Sequence, residues 1–324
     1  MNNTWLEQNT FHHSQFKNLN KLLDAKQRKN LKISLCLPTL NEANTIAKEV
    51  VIFKSELMIR YPIVDEIVVI DSGSTDGTRE IARAYDVQVF EADRILEELE
   101  PYKGKGENLW KALYITNGDI IVYIDADIKN IHHRFAYGLL GPLLESDHIK
   151  FSKAFYDRPI SDDRNRLQPT GGGRVTELVI RPLFALFFPE LTQFLQPLSG
   201  EYAAYRNIFE NIAFPIGYGV ETSMILDIYE KWGLAAMAQV DLDRRVHKNQ
   251  TTRALGRMAF AIMKTFLRRI QAQGRLALHQ DLFQEMIQFQ RKDNNYQADI
   301  HEITFIERPP IIELPQYREK FGLS

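Results

Sequence analysis

Four short apolar runs, each stopping at small, polar or acidic residues, constrain this chain most. Lys32-Ile-Ser-Leu-Cys-Leu-Pro38 ends at a proline that cannot donate to a strand ladder, and Glu66 to Ile70 runs into Asp71-Ser-Gly-Ser-Thr75. Val87 to Phe90 precedes a charged loop, and Ile120 to Ile124 leads directly into Asp125. The continuous apolar run from Ile67 to Ile70 indicates a strand buried on both faces. Helical patterns separate the four runs. Asn44 or Thr45 opens a helix that turns Ile46, Val50, Phe53 and Leu57 inward, Asp76 caps a helix through Tyr85, and Asn108 to Thr116 reads as a third. Alternating strand and helix predicts an α/β fold with a mostly parallel, doubly wound sheet.

Ligands of such sheets bind beyond the carboxyl ends of the strands. Three segments are therefore candidates: Pro38 to Glu42, Asp71 to Thr75, and Asp125 to Asp127. Asp125-Ala126-Asp127 sets two carboxylates on one side of an extended segment, because side chains alternate with period two. Two hard oxygen donors suit Mg2+ or Mn2+ bridging a nucleotide diphosphate; a solvated turn is the plain alternative. Pro38-Thr39-Leu40-Asn41-Glu42 offers backbone groups and the Glu42 carboxylate to a base and ribose, or simply starts a helix. Asp71 and Ser72 are ordinary turn residues that also sit on the ligand edge.

Further along, Lys105 stands between two glycines in Tyr102-Lys-Gly-Lys-Gly-Glu107, where it can approach a diphosphate as a point charge; an exposed loop is the alternative. Gly171-Gly-Gly-Arg-Val-Thr176 leads into a helical pattern, so free N–H groups and Arg174 suit an anionic acceptor, unless the glycines serve only as a hinge. In Arg244-Arg-Val-His-Lys-Asn249, His247 can be a third metal ligand while Arg245 and Asn249 bind surrounding anions. Glu221 either hydrogen-bonds a sugar or favours a helix N-terminus. The pairs His12-His13 and His132-His133 receive no metal role, since adjacent residues point apart.

Composition bounds the remaining possibilities. The 324 residues are 44% hydrophobic with a net charge of -2, so no global positive field favours nucleic acid. The single cysteine, Cys36, fits a reducing compartment, and the polar N-terminus lacks signal-peptide character, so a cytoplasmic location is expected. The most apolar stretch, Leu178 to Leu198, is broken by Arg181, Pro182, Pro189 and Glu190, and no stable membrane insertion is expected. Phe16, Leu19, Leu22 and Leu23 suggest a short helix packed outside the main domain. The expected organisation is an N-terminal helical extension over 1–30, a nucleotide-binding sheet half over 31–150, an acceptor half over 151–250, and a C-terminal helix and tail over 251–324. Helical periodicity runs from about Thr251 to Gln290, and the prolines at 309, 310 and 315 suggest an extended tail over the surface or a neighbouring subunit.

Taken together, the segments LPTLNE, VIDSGSTDGT, GKGENLW, YIDAD, GGGRVTEL, PLSGEYA, GYGVE and RRVHKNQ resemble the glucosyl-3-phosphoglycerate synthases, retaining glycosyltransferases of GT-A fold. That resemblance implies a nucleotide-sugar-binding sheet with a mainly helical C-terminal acceptor part. It implies glucose transfer from UDP- or GDP-glucose to 3-phosphoglycerate, for glucosylglycerate synthesis, with Mg2+ as cofactor and Mn2+ or Co2+ as substitutes. Pro38, Leu40, Glu42, Ser72 and Lys105 would contact the nucleotide. Asp125, Ala126 and Asp127 would serve ribose, diphosphate and metal, with His247 completing the metal site. Gly173, Arg174, Val175, Thr176 and Asn249 would hold the phosphoglycerate, and Gly200, Tyr218 and Glu221 would surround the glucose. Lys105, Asp127, Glu221 and His247 are the candidate catalytic residues, and a homodimer is expected. The rival readings are mannosyl transfer from GDP-mannose to the same acceptor, transfer to a polyprenyl phosphate, and a noncatalytic nucleotide-sugar-binding regulator.

Overall fold

The structure, a computed structural model, describes residues 4–161, 167–168, 173–246 and 250–323. Its centre is an eight-stranded sheet made of β1 (Thr10–His12), β2 (Ile33–Thr39), β3 (Glu66–Asp71), β4 (Gln88–Glu91), β5 (Ile120–Tyr123), β6 (Phe151–Asp157), β7 (Tyr202–Tyr205) and β8 (Met237–Arg244). The spatial order is β4, β3, β2, β5, β7, β6, β8, β1. Every neighbouring pair is parallel except those made by β7, which runs antiparallel to both β5 and β6.

The apolar runs are continuous because alternate residues serve two cores. Leu35, Leu37, Ile67, Val69, Ile120 and Val122 pack on one face, against the Ile46–Phe53 and Arg134–Glu145 helices. Cys36, Val68, Ile70, Ile121 and Tyr123 pack on the other, against the Lys105–Ile115, Val220–Trp232 and Thr252–Ala272 helices. Parallel strands bring their carboxyl ends to one edge. The reversed β7 instead brings its start there, so Gly200 and Glu201 join the ends of β2, β3, β5 and β8.

Several local expectations are corrected. The helix after Asp71 covers Thr78–Ala84 and begins at Gly77 in the left-handed region; Asp76 instead ties two turns together, accepting from the amides of Thr78 and Ala43 at 3.1 and 3.0 Å. The helix predicted to reach Gln290 stops at Ala272, and Glu285–Lys292 pairs with Asn295–Glu302 as a hairpin. Its two-residue turn at Asp293-Asn294, with Asp293 at φ 54, uses residues that tolerate left-handed backbone. The early residues do not simply pack outside, since β1 extends the sheet beside β8 and Leu22 is fully buried. Nor is the end a surface tail. Glu307–Arg308 pairs with Phe214–Pro215, and the Pro315–Phe321 helix buries Tyr317 completely.

Candidate active site

A cavity of about 420 Å3 opens at the carboxyl edge of the sheet. It is lined by Pro38, Glu42, Lys105, Asp125, Ala126, Asp127, Gly173, Arg174, Val175, Thr176, Gly200, Tyr218, Glu221 and Arg245. Residues predicted from segments more than 180 positions apart thus share one wall. Leu40, Asp71 and Ser72 do not line it. Asp71 is buried within its turn: Oδ1 accepts from the amides of Gly73 and Ser74, and Oδ2 accepts from Thr39 Oγ1 at 3.0 Å and from the Ser74 hydroxyl. Ser72 Oγ lies 3.0 Å from Asn108 Oδ1, and Leu40 is exposed on its loop. His247 and Asn249 lie outside the described residues.

Two cations hold the carboxylates of the Asp125-Ala126-Asp127 segment. Lys105, the first residue of the Lys105–Ile115 helix, places Nζ 2.5 Å from Asp125 Oδ1 and 2.9 Å from Glu221 Oε1. Arg245 follows β8 and bonds both aspartates, with Nη2 3.1 Å from Asp125 Oδ2. Burial opposes ionisation of Asp125, but Lys105 and Arg245 outweigh it and hold its carboxyl below the usual range. Burial equally opposes the charge on Lys105, and Asp125 and Glu221 reverse that effect, raising its pKa.

Arg245 is itself supported from below by residues to which sequence reasoning assigned no role. Its Nη1 donates to the Tyr156 hydroxyl at 3.0 Å and lies 3.3 Å from Glu201 Oε1, while Tyr156 donates to Glu201 Oε2 at 2.5 Å. Arg158 donates to the same hydroxyl at 2.9 Å and lines the cavity. The readable signal was Glu201, an acidic residue set directly before the apolar Tyr-Ala-Ala-Tyr strand.

The donor set fits a hard divalent cation. Asp125 and Asp127 supply oxygen ligands, and Glu42 and Glu49 set two further carboxyl groups near them. Glu42 is pushed up to about 7, first by burial and then by Asp127 and Asp125. Glu49 is buried behind Asp127, bonded to the Ile128 amide, and its carboxyl is raised well above the ordinary value by burial. A divalent ion would relieve this repulsion. Gly200 packs so closely on Asp125 that a Cβ there would overlap the carboxylate.

Comparison with known proteins agrees with this arrangement. The family described as "Glycosyl transferase family 2" matches residues 34–198. A glucosyl-3-phosphoglycerate synthase from Petrotoga mobilis is 53% identical over 313 residues, covering 97% of this chain and 96% of that one. The chain belongs to the glucosyl-3-phosphoglycerate synthase family. The family enzyme from Mycobacterium tuberculosis, solved with Mn2+, UDP and glucosyl-3-phosphoglycerate, matches with a TM-score of 0.77 and 39% identity, over 91% of this chain and 95% of that one. It has also been solved with Mg2+ and UDP. A mannosyl-3-phosphoglycerate synthase from Rubrobacter xylanophilus matches with a TM-score of 0.87 and 37% identity, over 96% and 97% of the two chains.

Proposed function

We propose that this member of the glucosyl-3-phosphoglycerate synthase family transfers glucose from a nucleotide diphosphate donor to 3-phosphoglycerate with retention. The observation that carries this reading is one cavity lined by the Asp125 and Asp127 carboxylates and by Gly173 to Thr176, with Lys105 paired to Asp125 and Glu221 in the same lining. Asp125, Asp127 and His247 would hold Mg2+, with Mn2+ or Co2+ as substitutes; bound there, the ion supplies positive charge to the departing diphosphate.

The protein's own groups divide the remaining work. Pro38 and Glu42 border the nucleotide end, with Leu40 and Ser72 on the adjoining loops, and Asp71 shapes the turn that carries Ser72. Lys105 stabilises negative charge that develops on the diphosphate oxygen as the bond to the anomeric carbon breaks. Glu221 and Tyr218 orient the sugar beside Gly200, whose lack of a Cβ leaves room for the Asp125 carboxylate. Gly173 has a left-handed backbone and precedes the Thr176–Ile180 turn, and Arg174 donates to the Gln250 carbonyl at 2.9 Å, so this segment presents charge and amides to the acceptor phosphate. Arg245 assists by fixing both aspartates, and Asn249 would join the acceptor side. Retention follows when the acceptor hydroxyl attacks from the face the diphosphate leaves. Its oxygen bonds to the anomeric carbon while its proton passes to the departing phosphate oxygen, and positioning supplies much of the acceleration.

The test is purified protein with Mg2+ and 3-phosphoglycerate, offered UDP-glucose, GDP-glucose and GDP-mannose, with products identified by mass spectrometry and anomeric NMR. An α-glucosyl product is expected. A mannosyl product would move the assignment toward the activity named for the Rubrobacter protein, and no transfer from any donor would overturn the reading.

A homodimer is part of the proposal. One face of the hairpin carries exposed Ile287, Phe289, Tyr296 and Ile300, while Gln288 on the other face bonds to Arg253 and Arg257 of the preceding helix. An apolar sheet face of this kind calls for a partner, and a second copy supplies the same face. A cytoplasmic location agrees with the single buried Cys36, and among the described residues no helix is long and apolar enough to cross a membrane.

A further inference from the structure

Outside the cavity, His12, His13 and Asp243 bring two imidazole nitrogens and a carboxylate oxygen within 4.8 Å of one another. Adjacent histidines within a strand would point apart. Here His12 ends β1 in an extended conformation and His13 opens the His13–Phe16 turn, so the chain bends between them and the rings stand 4.5 Å apart. Asp243 meets them from the far end of β8, with its backbone left-handed at φ 67 where the β8 register shifts. Its Oδ1 is 3.0 Å from His12 Nε2 and its Oδ2 is 2.8 Å from His13 Nε2.

The far side of each ring is also engaged. His12 Nδ1 lies 2.7 Å from Ser14 Oγ, and His13 Nδ1 lies 2.9 Å from the Tyr137 hydroxyl. With both Nδ1 atoms protonated, both Nε2 lone pairs face the carboxylate, the tautomers that metal-bound imidazoles adopt when their other N–H donates to a second partner. The 3.2 Å approach of the Ser14 amide to His12 Nδ1 is the contact this tautomer gives up.

We propose that His12, His13 and Asp243 form a binding site for a transition-metal ion of the Zn2+ class, with water as the fourth ligand. A four-coordinate ion with bonds of about 2.0–2.1 Å sets its donors about 3.3 Å apart, close to the nitrogen–oxygen spacings found here. The nitrogen-rich set disfavours Mg2+, which suits the oxygen donors of Asp125 and Asp127, so ligand chemistry sorts ions between the two places. The side chains of His12 and Asp243 are nearly half exposed, which leaves a path for entry. Arg134 Nε, anchored 2.9 Å from the Leu242 carbonyl and 3.6 Å from Asp243 Oδ2, is the cation that competes for the carboxylate. A bound ion would pin β1 to the end of β8, two residues before Arg245.

The full chain, held in excess Mg2+, is titrated with Zn2+ by calorimetry and with Co2+ as an optical substitute. One equivalent of Zn2+ bound at micromolar concentration or tighter, an intense visible Co2+ band of four-coordinate type, and a Zn2+-dependent rise in Tm are expected. His13→Ala should abolish all three, and so should His12→Asn, whose exposed position keeps the fold intact. Asp127→Asn should retain them. Unchanged Zn2+ binding in both histidine variants, no binding by the parent chain below millimolar Zn2+, or loss of the Co2+ band in Asp127→Asn alone overturns the site.

Discussion

Lys105 Nζ sits 2.9 Å from Glu221 Oε1, joining the start of one helix to the start of another across the mouth of the cavity. The same ammonium holds Asp125 at 2.5 Å. Lys105→Ala removes this shared charge, and kcat for glucosyl transfer should fall by about 10^2–10^3-fold, the scale of losing one charge-stabilising donor. Steady-state assays with each substrate varied will check this; an unchanged kcat removes Lys105 from the chemical step.

Asp127 has its carboxylate at the cavity and one oxygen bonded to Arg245. Asp127→Ala should abolish metal-dependent turnover and weaken Mn2+ binding, read by electron paramagnetic resonance of the free ion. His247→Ala should do the same. Normal activity in both variants would sink the metal-site assignment.

At Gly200 the constraint is space, since a Cβ would overlap the Asp125 carboxylate. Gly200→Ala should displace Asp125 and lower kcat by roughly 10^2-fold, the cost of about 1 Å of misplacement. Retained turnover would show that the strand start yields instead.

The hairpin face makes a prediction about assembly. Phe289→Asp places a charge among Ile287, Tyr296 and Ile300. Light scattering after gel filtration should show the dimer converted to monomer, with the Tm of the subunit little changed. A variant that remains dimeric puts the interface elsewhere.

Asp227 is largely covered beside Arg269 at 2.9 Å, and that burial pushes its carboxyl up to about 6 despite the partner. A raised acid binds its proton more tightly in the folded state than in the unfolded one. Its contribution to stability is therefore fully present below about 3.8 and lost as pH rises through about 6, a swing on the order of 3 kcal/mol. Denaturant melts of the parent and Asp227→Asn between these limits should show a steeper loss in the parent by about this amount, on top of any slope that other raised carboxyl groups give both proteins; parallel curves would contradict the assignment.

The buried runs at β2, β3 and β5 were legible because strands covered on both faces must be apolar throughout, and the polar residues that stop them mark the ligand edge. Asp125, Asp127 and Glu42 could be found this way. The hairpin is hidden in the sequence, although Ile287-Gln-Phe-Gln290 alternates with period two, because the helical periodicity upstream continues past Gly274. Tyr156 and Glu49 carry no local mark, and the place of Glu201 before an apolar strand marks the residue but not its partners, which lie elsewhere in the chain. Likewise, the expectation that His12 and His13 point apart was sound for a strand and failed at the bend that ends one.

By itself the sequence determined the alternating architecture, the family and the segments that meet at the sheet edge, since hydrophobic periodicity and turn chemistry act over a few residues. Only the tertiary structure decided that Arg245 would bridge Asp125 and Asp127, that the reversed β7 would deliver Gly200 beneath them, and that Asp243 would close on two neighbouring histidines. Each of these contacts joins residues brought together by strand order and direction, and the free energy of a buried charge or a close approach depends on that three-dimensional neighbourhood rather than on adjacent residues.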